Sequence, residues 1–180
     1  KLSDSTIHLK VNILKSVLRE AVRRGLLDQN PFDRLPSSYR IHPHYKEKET
    51  LTMEDLITLK QTPCKTPQLK EAVLLSSLTG LRKSDILSLS QKDIIEIDGT
   101  PYIYKKIRKT QRWHKVPLSD LAYQILQQLE KDCKEPGGCF FSQLSSHHLN
   151  EHLDEWLSAC HITCKHFTFH CLRHTCASLL

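Results

Sequence analysis

His170-Cys171-Leu172-Arg173-His174-Thr175-Cys176-Ala177-Ser178, close to the end of the chain, sets an imidazole and a guanidinium one helical turn apart. That pair suits a phosphate. The guanidinium is a planar, permanently charged fork of donors, and the imidazole can give or take a proton near neutrality. A second arginine follows a glycine in Leu78-Thr79-Gly80-Leu81-Arg82-Lys83-Ser84-Asp85-Ile86, where an apolar helix stops and a short one, Lys83 to Leu89, begins. This places Arg82 at a helix junction over the core, with Asp85 three residues on to hold its guanidinium by a bidentate contact.

Lys109 lies in the most basic stretch of the chain. Between Lys105 and Lys115 come Lys105, Lys106, Arg108, Lys109, Arg112 and Lys115 with no acid, a local field suited to a polyanion. A solvated hairpin is the alternative reading of the same run. Lys105, Lys106 and Arg108 compete with Lys109 for any catalytic role.

The 180 residues suffice for one ordinary domain, or for a domain with part of another attached. A hydrophobic content of 39% with 26% charged residues is that of a globular chain, and no apolar run approaches a membrane span. Lys1 is read as an internal start, so the chain is expected to be a fragment. The formal charge of +6 points toward an acidic partner. Seven cysteines without paired CxxC spacing or a secretory signal predict reduced thiols in a cytosolic protein. Cys160, His161, Cys164, His166, His170, Cys171, His174 and Cys176 include many zinc-type ligands, but their spacing does not follow finger patterns. No metal or other cofactor is expected.

Apolar positions Ile7, Val11, Leu14, Leu18 and Val22 predict a helix to about Arg24, stopped by Gly25. Lys15, Arg19 and Arg23 recur every four residues beside that face, as DNA-backbone contacts or as a solvated stripe. Pro36 to Thr50 is polar and proline-punctuated, which predicts a linker. Thr52 and Asp55 form a capping-box pattern at the start of the next domain, and Thr66-Pro67 predicts the start of a central helix over Ala72 to Leu78. Ile94 to Ile97, Tyr102 to Tyr104 and Trp113 to Val116 predict a small antiparallel sheet, with Asp98-Gly99 as a turn. Ser119 caps a helix through Leu129. Pro136-Gly137-Gly138 marks a turn, a further helix carries Leu149, Leu153, Trp156 and Leu157, and a last one begins near Phe169.

The two arginine-bearing stretches resemble the two arginine boxes of the tyrosine recombinases, the phage-integrase family. Arg108-Lys109-Thr110 ahead of Val116-Pro117-Leu118-Ser119 resembles that family's hairpin lysine, strand and proline. The style is closest to integrases of bacterial mobile elements such as conjugative transposons. Residues 51–180 resemble the catalytic domain and 1–40 the tail of a helical core-binding domain, with 41–50 as the linker.

The resemblance implies a mainly α fold with a small antiparallel β-sheet (α+β), closing with its partner domain as a C-shaped clamp on double-stranded DNA. It implies that Arg82 and Arg173 bind the scissile phosphate, that Lys109 is the general acid toward the 5′-oxygen, and that His170 assists proton transfer. It further implies DNA contacts from Lys15, Arg19, Arg23, Lys83, Lys106, Arg108 and Arg112. A tyrosine would attack to give a 3′-phosphotyrosyl link, so neither ATP nor metal is required, and the working form would be a tetramer on two duplexes in the bacterial cytoplasm, at the nucleoid. In the family that tyrosine, with a phosphate-contacting His or Trp, lies beyond the His-Arg box. Tyr39, Tyr45, Tyr102, Tyr104 and Tyr123 all precede it, so the chain as it stands is expected to bind DNA weakly and cleave nothing. A non-catalytic DNA-binding protein of the same fold, and a zinc-stabilised module, are the competing readings.

Overall fold

The computed structural model describes residues 2–36, 48–133 and 137–180. The chain divides into two compact units, Lys1–Glu47 and Lys48–Leu180. Most of the expected linker, Ser37 to Glu47, and Pro136 of the expected turn lie outside the described residues.

In the first unit, helix α1 spans Asp4–Arg23, starting three residues earlier than Ile7 because the Ser3 hydroxyl accepts the Thr6 N–H and Asp4 favours the positive end of the helix. Gly25, at φ +72°, lets the chain leave the helix in the left-handed region. The Asn30 carboxamide then caps a 3-10 turn, Pro31–Arg34, by accepting the Phe32 N–H at 3.0 Å. Its amide nitrogen reaches back to the Lys15 carbonyl at 3.5 Å. No residue of α1 is fully buried, and Leu9, Ile13 and Val17 stand exposed along one side.

The second unit holds the core. Helix α2, Met53–Gln61, begins with the expected capping box: Thr52 Oγ1 accepts the Asp55 N–H, and the Asp55 carboxylate accepts the Thr52 N–H. Helix α3, Leu69–Thr79, is buried on nearly every side through Leu69, Ala72, Val73, Leu75, Ser76 and Ser77. Its start departs from expectation. Thr66 and Pro67 form a turn, and the residue before the helix is Gln68 in the left-handed region at φ +61°. Gln68 is held there by a distant loop: its side chain donates to the Phe140 carbonyl and accepts the Gln143 N–H.

Gly80 ends α3 at φ +64°, and a Cβ there would touch the Cys176 sulfur at 3.4 Å. The glycine therefore serves both the left-handed turn and the close approach of helix α7, Leu172–Leu179, along α3. Helix α4, Lys83–Leu87, is two residues shorter than expected, though Leu89 beyond it is fully buried. Strands β1 (Ile94–Ile97), β2 (Thr100–Lys106) and β3 (Trp113–Pro117) form an antiparallel sheet in that order. Asp98 and Gly99, both at positive φ, make the two-residue turn between β1 and β2. Ile103, Lys105 and Ile107 point inward while Tyr104 and Lys106 point outward, the period of two that a strand imposes. Ser119 caps α5 (Asp120–Asp132), and α6 (Leu149–Ala159) buries Leu149, Leu153, Trp156 and Leu157. A 3-10 turn, Phe169–Cys171, leads into α7.

The first residues of this unit are tied to its last helix. The Leu51 N–H donates to the buried Thr175 hydroxyl at 3.0 Å, and the Glu49 carboxylate accepts the N–H groups of Lys165 and His166. Thr175→Val keeps the shape but strands the Leu51 donor, so it is expected to cost about 1–3 kcal/mol in urea unfolding, with Thr175→Ser near wild type. A cost for the valine no larger than that for the serine would show the bond contributes nothing.

Candidate functional site

Two separate sequence stretches meet through the α3–α7 contact. Arg82 occupies the extended residue between Gly80 and α4, where its carbonyl accepts the N–H groups of Asp85 and Ile86, each at 2.9 Å. Arg173 stands in the first turn of α7, and His170 lies one turn earlier in the 3-10 segment. Both arginines are half-buried. Among the described residues no carboxylate lies within ion-pair distance of either guanidinium. The site is therefore a concentration of positive charge without its own counter-ion.

The His170 ring sits edge-on to His174, with centroids 5.5 Å apart and an interplanar angle of 87°. His170 is held below the ordinary histidine value, first by the burial its ring has, then by His174, Lys48, Arg173 and Arg82. The shift favours the neutral imidazole, which can accept one hydrogen bond and donate another. Nε2 of His174 is enclosed and has no hydrogen-bond partner among the described residues.

The sign of the pH effect follows. A lowered folded-state value means that the unfolded chain takes the proton first, so His170 favours the folded state above its ordinary value and loses that contribution as pH falls. A bound phosphate acts in the opposite sense, raising the imidazole value by its charge. Binding of an anion here is expected to take up a proton and to strengthen as pH falls toward and below the ordinary histidine value, a trend that His170→Gln should flatten. An unaltered pH profile in the variant would remove His170 from the anion's surroundings.

Asp85 corrects the expectation. It does not grip Arg82. The carboxylate is fully buried; Oδ1 accepts the Arg108 N–H at 3.5 Å, and Oδ2 has no hydrogen-bond partner among the described residues. Its partner is thus the start of the β2–β3 hairpin loop, so Asp85 links that loop to the helix that begins at Arg82. Lys109 lies exposed in the turn, whose ends close through Ile107 N–H to the Arg112 carbonyl at 2.9 Å. No described contact brings the Lys109 side chain to the two arginines; only the Asp85–Arg108 bond connects their elements.

The sheet resolves one competition. Lys105 is buried, with Nζ at 2.7 Å from both Asp93 Oδ2 and the Ser88 carbonyl, so it is a structural cation. Lys106, Arg108 and Arg112 are exposed and Lys83 half-buried. Tyr104 and Trp113 stack at 4.7 Å on the outer face, and Lys115 lies 4.2 Å above Tyr102. This aromatic pair went unnoticed in the sequence, although cross-strand register alone would have brought the two strands together there.

In the first unit the basic stripe is partly engaged. The Arg23 fork clasps Glu20 at 2.7 and 2.8 Å, Arg24 shares the same carboxylate, and Lys15 lies 5.3 Å over the Phe32 ring. Arg24 and Arg23 lower the Glu20 value through these exposed contacts, Arg23 first. Arg19 is exposed and has no ion pair among the described residues.

Among the described residues no group of three or more His, Cys, Asp or Glu is gathered as a metal site. Cys160 and Cys176 are buried, and burial raises the thiol values of Cys164 and Cys176. The Cys171 sulfur accepts the Thr168 N–H. Tyr102 and Tyr104 are in the sheet and Tyr123 in α5, while Tyr39 and Tyr45 lie outside the described residues. Sequence reading missed Lys48, which acts electrostatically on His170 and whose position depends on contacts across more than a hundred residues.

Residues 49–180 match the model of the phage integrase family. No curated protein matches the chain in sequence. Among solved structures, the Tn1549 transposon integrase in complex with circular intermediate DNA aligns with a TM-score of 0.73 and 21% identity over 99% of this chain and 66% of that one. A lambda integrase dimer bound to a COC' core site aligns at 0.68 and 21% identity, over 98% and 52%. XerH site-specific recombinase bound to difH substrate gives 0.57 at 16%, over 80% and 47%. The chain thus spans about half to two thirds of each of these, and at such identities the likeness establishes the fold.

Proposed function

This chain belongs to the phage integrase family, the tyrosine recombinases, and from that premise we propose that it carries the phosphate-activating part of a site-specific DNA recombinase. The observation that supports this most is the meeting of Arg82, His170 and Arg173, with no described carboxylate paired to either arginine, where Gly80 lets α7 approach α3 at Cys176.

Strand exchange passes through a pentavalent phosphorus whose non-bridging oxygens gain negative charge. Arg82 and Arg173 meet that charge with forked donors that stay ionised throughout, which stabilises the transition state more than the ground state. A tyrosine oxygen forms the new P–O bond at the 3′-phosphate as the bond to the 5′-oxygen breaks. Lys109 delivers a proton to that leaving oxygen as the hairpin turn closes over the site. His170, neutral beforehand, hydrogen-bonds the phosphate and moves the proton released by the tyrosine. Phosphoester energy is retained in the 3′-phosphotyrosyl link, so a second DNA end reverses the step without ATP.

The attacking tyrosine is assigned to none of Tyr39, Tyr45, Tyr102, Tyr104 or Tyr123. Residues 1–40 are the tail of a helical DNA-binding domain, and the linker expected over 41–50 ends before Lys48, which groups with the catalytic unit. The partner is double-stranded DNA, and the assembled form is a homo-oligomer, as for the lambda integrase dimer and the lambda integrase tetramer bound to a Holliday junction. Lys15, Arg19, Lys83, Lys106, Arg108 and Arg112 contribute backbone contacts, with Arg23 doing so only on leaving Glu20.

Measured over a series of NaCl concentrations, the chain is expected to bind duplex DNA with log Kd linear in log salt. Replacing Arg19 with Gln should lower the slope by about one unit per lost phosphate contact. Salt-independent binding, or none, would contradict the reading. A non-catalytic DNA-binding role separates from it on covalent adduct formation.

A further inference from the structure

We propose that Lys48 is a further cation of this site, contacting the DNA backbone beside the phosphate that Arg82 and Arg173 hold. The inference rests on the reading of that site as a DNA-phosphate site and adds a residue to it.

Lys48 lies in the stretch that the sequence presents as linker, yet it belongs to the second unit. Two fastenings fix the residues after it. Glu49 accepts the N–H groups of Lys165 and His166 at 2.9 and 3.1 Å, and Leu51 donates to Thr175 at 3.0 Å. These anchors bracket His170 in sequence, one a few residues before it and one a turn and a half after it. A residue next to the first anchor is thereby confined beside the His-Arg turn. The electrostatics agree: Lys48 acts on the His170 ring ahead of either arginine.

Its charge is also free. Lys48 is exposed and has no ion pair among the described residues. Neighbouring Glu49 forms no ion pair with it among the described contacts: its carboxylate oxygens accept the Lys165 and His166 N–H groups, which hold its value below the ordinary carboxylate range. Three cations, Lys48, Arg173 and Arg82, thus act on the His170 imidazole, and none of them has an ion pair among the described residues. A polyanion meets that charge, and a lysine on a flexible stem suits a backbone phosphate whose angle of approach varies.

The test uses the chain as it is, with a linear duplex of random sequence as probe and NaCl varied. Lys48→Gln is expected to reduce the slope of log Kd against log salt by about one unit, and Lys48→Arg to restore it. In the free protein, followed by NMR, Lys48→Gln should raise the midpoint of His170 titration while Lys48→Arg leaves it in place. A slope unchanged in Lys48→Gln but reduced in Arg173→Gln overturns this inference and leaves the phosphate site standing. Unchanged slopes in both overturn the site as well. An unmoved His170 midpoint in Lys48→Gln removes Lys48 from the site whatever the slopes.

Discussion

Arg173→Ala is expected to lower covalent adduct formation on a suicide duplex by at least ~10²–10³-fold, in a chain extended past Leu180 by a segment bearing the family's tyrosine. The size follows from the chemistry. Removing one preorganised donor to a developing oxyanion forfeits about 3–4 kcal/mol of transition-state stabilisation. Here the loss is not cushioned, because no other described side chain is poised to replace the fork. Arg173→Lys should recover little, since a point charge does not reproduce two parallel donors. Fold is controlled by the unfolding midpoint, which Arg173→Ala should hardly move: the guanidinium makes no hydrogen bond or ion pair among the described residues. Undiminished adducts would mean that Arg173 does not hold the reacting phosphate.

Phe169→Ala should produce the largest loss of stability. The ring is 2% exposed, in the core cluster directly before His170. Its backbone N–H is fixed by the Asn150 carboxamide at 3.0 Å. Deleting a buried phenyl costs about 3–5 kcal/mol, a large share of a domain's ~5–15 kcal/mol. The same change releases the turn that orients His170 and Arg173, so duplex affinity should fall with the urea midpoint. Phe169→Leu, which fills most of the volume, should cost clearly less. Equal stability of the alanine and leucine variants would show that the ring does not anchor the turn.

These residues also show which parts of the molecule the sequence declares. The His-Arg turn, Gly80, the Thr52 capping box and the Asp98-Gly99 turn were legible because each is a local device, with its residue type dictated by its own backbone. Gln68 was not. Its left-handed conformation is held by the Phe140–Gln143 loop, and Thr66-Pro67 carried the stronger local signal. Asp85 failed for the same reason: Arg82 lay close in sequence, while the backbone N–H that the buried carboxylate accepts comes from a hairpin more than twenty residues on.

Lys105 is a different case, because the sequence did carry the answer. It shares strand parity with Ile103 and Ile107, so an inward, structural lysine was foreseeable, and Lys109 in the turn was then the stronger candidate. Lys48 offered no such cue. Nothing within ten residues of it hints at the segment's attachment to α7.

The account turns on a phosphate held by Arg82 and Arg173 and attacked by a tyrosine. It is tested most directly by the chemistry of the covalent link formed on a suicide duplex by the tyrosine-bearing chain, mapped by mass spectrometry of the trapped peptide and its DNA end. The expected product is tyrosine joined to the 3′-phosphate with a free 5′ hydroxyl on the released strand, its yield collapsing in Arg82→Ala and Arg173→Ala. A tyrosine joined to a 5′-phosphate, or a 3′ link formed at full yield without either arginine, would contradict it.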